Sequence, residues 1–131
     1  MPTVPLAAAA IGVEERQILK TLLFTDDRDG FVIAIASGPS RLDRKALAAA
    51  AGFSRISMAD PATVLRLTGF PAGGVAPVGH ATPLSVLVDE AVIDLVEAWG
   101  GGGDETLLLR LAPVDIVRLT GATIASIKTT G

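Results

Sequence analysis

The sequence predicts a single α/β domain, its mixed and mostly antiparallel sheet flanked by short helices. Three observations carry that reading. Two apolar stretches flank the turn DDRDG (26–30), the pattern of a β-hairpin. Phe31-Val-Ile-Ala-Ile-Ala36 is a near-continuous apolar run, as expected of a strand covered on both faces. Short segments with helix start and stop signals alternate with further strand candidates, which is the α/β arrangement.

In chain order, PLAAAAI (5–11) is an Ala-rich helix candidate with Thr3 placed to cap it and Gly12 to end it. Glu14–Gln17 form a polar turn, and Ile18–Phe24 read as the first hairpin strand. After Phe31–Ala36, the turn Ser37–Ser40 leads to a helix over about Asp43–Ala51, stopped by Gly52. Arg55–Met58 is a short strand candidate. Asp60-Pro61 opens a helix running to about Leu67, an N-cap followed by proline at the first helical position. Leu84–Val88 is an apolar strand, and Asp89 caps a brief helix near Glu90–Leu95. Gly100–Gly103 are expected to form a flexible link before a strand at Thr106–Leu111. Ala112-Pro113 opens a last helix to Leu119, Gly121 stops it, and Thr123–Ile127 is the final strand.

Composition narrows the function classes. At 131 residues the chain fits one domain, and aromatics are only 4%, so Ala, Val, Leu and Ile must build the core. No apolar run approaches the ~18–20 residues of a membrane span. The Ala-rich start lacks a positive region ahead of it, so a secretory signal is not expected and a cytoplasmic location is. The absence of cysteine excludes disulfides, thiol catalysis and cysteine-ligated zinc. A net charge of −3 is unlike a general nucleic-acid binder. Between positions 41 and 66, however, five cations (Arg41, Arg44, Lys45, Arg55, Arg66) face two acids (Asp43, Asp60). That patch could hold a few phosphates, or could simply solubilise the surface.

The segment GFPAGGVAPVGHATP (69–83) concentrates Gly69, Gly73, Gly74 and Gly79 among Pro71, Pro77 and Pro83. So little side-chain bulk exposes bare backbone, and the prolines fix the path. The loop is either a wall of main-chain amides for a small ligand or a winding connection. It carries His80, the sole histidine, which has no partners for a metal site and no G-x-S-x-G serine for a triad. A structural hydrogen-bonding role suits it better. The glycines match neither G-x-G-x-x-G nor a P-loop. Lys20 stands in an apolar strand on one face with Ile18, Leu22 and Phe24. It either snorkels to water or aims a cation at an anion or polarised carbonyl. Asp89 has a ready role as a helix cap, Trp99 as a packing anchor, and Asp26, Asp27, Asp104 and Glu105 as solvated turn carboxylates.

Together, QILKTLLF (17–24), SRLDRKALAAAAG (40–52) and TGFPAGGVAPVGHATPL (68–84) resemble the YbaK/EbsC family. That family includes the editing insertion domain of bacterial prolyl-tRNA synthetases. VDE (88–90) and LAPVDIVRLTGA (111–122) fit as well, so the resemblance runs from about Thr3 to Ile127. It implies a free-standing trans-editing deacylase that hydrolyses the ester joining a wrong amino acid to tRNA, with tRNA(Pro) carrying a small residue as substrate. Lys20 matches the family's required lysine, and Gly73 and Pro77 match its G-x-x-x-P loop. The implied catalytic set is Lys20, Gly73 and Gly74. Gly69, Val75, Pro77, Gly79 and His80 complete the substrate-binding set, with no cofactor and no metal. Relatives usually carry another strand and helix before the segment matching Thr3, so an N-terminally shortened domain is expected. A homodimer partner or prolyl-tRNA synthetase is then the expected source of missing wall or basic surface. The alternatives are a non-catalytic binding module for an aminoacyl-adenosine, nucleotide or RNA 3′ end, and an inert interaction domain.

Overall fold

The computed structural model describes residues 4–26, 28–102 and 108–129. Helix α1 (Val4–Ile11) is followed by a single 3₁₀ turn at Glu15–Gln17. There the N–H of Glu14 donates to Gln17 Oε1 at 2.9 Å. β1 (Leu19–Thr25) and β2 (Phe31–Ser37) form the expected antiparallel hairpin, in a register that sets Lys20 opposite Ala36. Its turn is organised by Asp26, whose Oδ1 accepts from the N–H groups of Arg28 at 2.8 Å and Gly30 at 2.7 Å.

The next helices form where their caps predict. Asp43 Oδ1 accepts from the N–H groups of Lys45 and Ala46 to start α2 (Arg44–Ala51). Gly52 ends that helix with φ 77°, a left-handed value that costs glycine nothing. After the two-residue strand β3 (Ser57–Met58), Asp60 Oδ1 accepts from Thr63 N–H at 2.8 Å and starts α3 (Pro61–Thr68). Strand β4 (Ser85–Asp89) leads directly into the one-turn helix α4 (Glu90–Ile93). Then come β5 (Ala98–Gly101), β6 (Leu108–Leu111), α5 (Pro113–Thr120) and β7 (Thr123–Ala125).

Five strands form one sheet in the order β3-β1-β2-β4-β7, and β5-β6 form a separate antiparallel pair. β1 is antiparallel to β2 and β3, whereas β4 runs parallel to β2 and β7. The sheet is therefore mixed, as the sequence predicts. Alternation along β2 explains its unbroken apolar run. Ile33 and Ile35 join one cluster with Leu19, Leu23, Val64 and Val88. Val32 and Ala34 join Phe24, Leu47, Leu87 and Ile127 on the other face. Each fully buried aliphatic side chain contributes about 1.5–3 kcal/mol, so a strand buried on both sides anchors both layers. A third cluster sets Ala7, Ala8 and Ile18 against Trp99 and ties α1 to the start of β1.

The expected flexible link at Gly100–Gly103 is corrected in its first half. Gly100 and Gly101 are strand residues paired with Leu109 and Leu108. A Cβ on Gly101 would stand 2.6 Å from Val75 O, and one on Gly100 would stand 2.8 Å from Pro77 Cδ. These glycines permit close packing rather than flexibility. Helix α4 stops at Ile93 rather than Leu95, and the last strand at Ala125 rather than Ile127. The expectations for Thr3, Asp27, Gly103 to Glu105 and the start of the strand at Thr106 lie outside the described residues.

Candidate functional site

Lys20 lies on the β1 face that carries Leu22 and Phe24, where period-two alternation puts it. Its Nζ donates to the carbonyl oxygen of Ser40, in the turn that follows β2. Partial burial removes water from the ammonium and pulls its pKa below the ordinary lysine value. The cavity at this position has a volume of about 410 Å³. Lys20, Arg41 and Arg44 line it together with Phe24 and Met58, and no carboxylate does. The Arg44 guanidinium sits 5.8 Å from the Phe24 ring centroid, a cation–π contact that holds it at the cavity wall. Such a cavity suits a phosphate or a carboxylate, because several fixed cations share the anion's charge.

The glycine loop occupies another part of the molecule. Its return is pinned to the end of α3 by Ala81 N–H to Thr68 O at 2.9 Å and Thr82 N–H to Leu67 O at 3.0 Å. Gly69 caps α3 with φ 79°, and Gly73 and Gly79 take φ 86° and 78°. Gly74, Val75, Ala76 and Pro77 are buried. Val75 belongs to the cluster that holds Leu19 and Leu23, on the β1 face opposite Lys20. The Gly74 N–H is committed to Pro71 O at 2.9 Å. His80 Nε2 donates to Ala76 O at 2.7 Å, and its ring meets Phe70 edge-on at 6.3 Å. Burial lowers its pKa, and the bond to Ala76 partly opposes that shift. Gly79 and His80 border a separate cavity of about 270 Å³ with Thr82, Leu84 and Leu119.

The structure thus groups Gly69 to His80 in one loop and Lys20 with Arg41 and Arg44 in one cavity. The cavities at which the two groups lie have no lining residue in common. Arg41 and Arg44 were visible in sequence only as part of a basic stretch. Lys128 carried no local signal at all, yet a bridge between Leu42 and Lys128 brings it to the same turn. Asp89 is fully buried, with Oδ2 accepting from Ala91 N–H at 3.1 Å and Oδ1 from Ile127 N–H at 3.0 Å. The cap read from sequence is therefore also a tie to the chain's last segment. Among the described residues no three His, Asp or Glu side chains are grouped to hold a metal ion. Nor is any described helix long and apolar enough to cross a membrane.

A mixed sheet with a cation-lined cavity beside β1 and a glycine-proline loop across the strand defines an α/β domain. Comparison with known proteins gives it a family. The profile of the aminoacyl-tRNA editing domain matches residues 1–119. The chain is 30% identical over 122 residues to an Enterococcus faecalis (strain ATCC 700802 / V583) protein named "Putative Cys-tRNA(Pro)/Cys-tRNA(Cys) deacylase EbsC", covering 93% of this chain and 74% of that one. It is 31% identical over 90 residues to the proline--tRNA ligase of Trichlorobacter lovleyi (strain ATCC BAA-1151 / DSM 17278 / SZ), covering 69% of this chain but 16% of the ligase. A crystal structure described as "a putative trans-editing enzyme for prolyl tRNA synthetase" superposes with TM-score 0.90 at 39% identity, covering 97% of this chain and 80% of that one. The chain belongs to the aminoacyl-tRNA editing domain family, the YbaK/EbsC family, whose members act on aminoacyl-tRNA.

Proposed function

We propose that this chain is a trans-editing deacylase that hydrolyses the ester of mischarged aminoacyl-tRNA, with tRNA(Pro) bearing a small residue such as alanine as substrate. The observation that carries the reading is the Lys20 cavity: three cations and no carboxylate in a family that acts on aminoacyl-tRNA. Lys20 anchors the phosphate of the terminal nucleotide. β3 pairs with β1 at Phe24 and Thr25, and Trp99 of β5 bridges Ile18 just before β1, so no described strand is paired with residues 20–22 on that edge. A nucleotide held on Lys20 carries its ester round that edge toward the glycine-loop wall. The main-chain amides of Gly73 and Val75 have no acceptor among the described residues and supply the oxyanion contacts, while Gly74 shapes the turn.

The need for such a reaction follows from binding arithmetic. A methylene is worth about 1–3 kcal/mol to a synthetase pocket, too little to reject a smaller amino acid. A differently shaped pocket then removes the error. Among the described residues no carboxylate lines the Lys20 cavity, and His80 Nε2 is committed to Ala76 O, so the attacking water is activated by a hydroxyl of the substrate's own ribose, in the cytoplasm where charged tRNA is used. Incubation with a panel of mischarged tRNAs tests the reading. Release of a small amino acid from tRNA(Pro), slowed by about 10²-fold or more in Lys20→Ala, is the expected result. No deacylation above buffer, or full activity in that variant, overturns it.

A second reading, a binding module without turnover, is favoured by one arrangement: Lys20 and the loop lie on opposite faces of β1, and the Gly74 amide is already occupied. Saturable binding of an aminoacyl-adenosine without hydrolysis would select it.

A further inference from the structure

Three cavities meet at Pro39 and Ser40, with volumes of about 370, 630 and 410 Å³. They form one branched crevice around the turn that follows β2, extending past Glu90 and Asp94 to Lys128. Its position has a topological cause. β2 and β4 are parallel neighbours. The chain leaves β2 for α2, whose Leu47 packs on one face of the sheet, and leaves β4 for α4, whose Val92 packs on the other. Adjacent parallel strands whose connections diverge in this way open a crevice at their carboxyl ends, where ligands of open α/β sheets commonly bind.

The crevice also reverses the sign of the chain's charge. Lys20, Arg41, Arg44 and Lys128 line it, and none of them is ion-paired among the described residues. Arg16 lines it as well but is paired with Glu14 at 2.5 Å. The carboxylates on its walls are Glu90 and Asp94, whereas the whole chain carries −3. A positive crevice on a negative protein steers a polyanion to one place. Its branched, open form fits an extended strand better than a compact ligand, and guanidinium groups match phosphate oxygens in pairs.

We infer that this crevice seats the single-stranded 3′ end of an RNA, with phosphodiester groups on Arg41, Arg44 and Lys128 leading to Lys20. The inference rests on reading the chain as a protein that acts on aminoacyl-tRNA, and it assigns the route by which that strand arrives.

The test uses an uncharged RNA hairpin with a single-stranded 3′ end, titrated at several salt concentrations and read by fluorescence anisotropy. Turnover plays no part in it. The triple variant Arg41→Ala/Arg44→Ala/Lys128→Ala should bind at least about tenfold more weakly and lower the log–log salt slope by about 2, at ~0.7 per lost single-strand phosphate contact. Arg28→Ala/Arg55→Ala/Arg66→Ala removes the same charge from exposed positions outside the crevice and should keep both affinity and slope. Deleting the single-stranded end should weaken binding to the wild type. Equal behaviour of the two triple variants, an unchanged slope in the first, or indifference to the 3′ end overturns the inference. RNA binding that follows the crevice residues without any deacylation would sink the deacylase reading and leave this one standing. Deacylation with unaltered RNA binding in the crevice variant would do the reverse.

Discussion

The buried carboxylate of Asp89 accepts the N–H of Ile127 at 3.0 Å and so fastens the end of β4 to a segment 38 residues later. Its second oxygen accepts from Ala91 N–H at 3.1 Å and starts α4. One side chain thus satisfies a helix terminus and a donor that would otherwise be buried without a partner.

Replacing Asp89 by alanine removes the cap, worth about 0.5–2 kcal/mol, and strands the Ile127 N–H, at about 1–3 kcal/mol. Urea denaturation should therefore show a loss of about 2–4 kcal/mol for Asp89→Ala. Asp89→Asn keeps one amide oxygen as an acceptor and should lose less. Equal loss in both variants would mean that charge, not the second hydrogen bond, is what matters.

Gly101→Ala should be more damaging than Gly100→Ala. The added methyl meets the main-chain Val75 O at 2.6 Å in the first case and the Pro77 ring at 2.8 Å in the second. Overpacking of this kind typically costs about 1–3 kcal/mol. Because both contacts lie on the glycine-proline loop, the substitutions should also disturb the proposed deacylation. Thermal unfolding read beside turnover checks both effects. A Gly101→Ala protein as stable and active as the wild type would contradict the packing described for this loop.

These contacts also show where sequence reasoning stops. Helices α2 and α3 were legible because their starts are local: Asp43 and Asp60 bond to N–H groups two or three residues on. β2 was legible because its apolar run reports two-sided burial. Gly100 and Gly101 were not, because glycine in a link and glycine under a loop look alike until Pro77 and Val75 are in place. The candidate site divides in the same way. Period-two alternation placed Lys20 on its face, but only the sheet order brings Arg41, Arg44 and Lys128 round the same turn. It is also the sheet that sets Lys20 and Val75 on opposite faces of β1.

Thr21 should tolerate valine better than a buried threonine usually does. It is 9% exposed, and its hydroxyl is buried without a hydrogen-bond partner among the described residues. An unsatisfied buried hydroxyl costs about 1–3 kcal/mol, while a methyl of similar shape in its place costs almost nothing. Thr21→Val should raise stability by about 1 kcal/mol in urea denaturation. A destabilised variant would show that the hydroxyl has a partner in solution.

His80 gives the loop a pH dependence whose sign is fixed by burial. In the unfolded chain its imidazole titrates near the ordinary value of 6.5, whereas in the fold desolvation holds it lower. Between the two values the unfolded chain binds a proton that the folded chain does not, so stability rises with pH there. The contribution is fully present above the ordinary value and is lost as pH falls through the lowered one. Carboxylates titrate further into acid, so the useful quantity is the difference between wild type and His80→Gln. Glutamine can still donate to the Ala76 carbonyl that His80 Nε2 bonds at 2.7 Å, but it does not titrate. Denaturation midpoints measured between about pH 7 and 5 should therefore fall more steeply for the wild type than for the variant. Parallel curves would mean that the imidazole is solvated in the folded loop. A steeper fall in the variant would mean that the imidazolium, not the neutral ring, is the form the fold prefers.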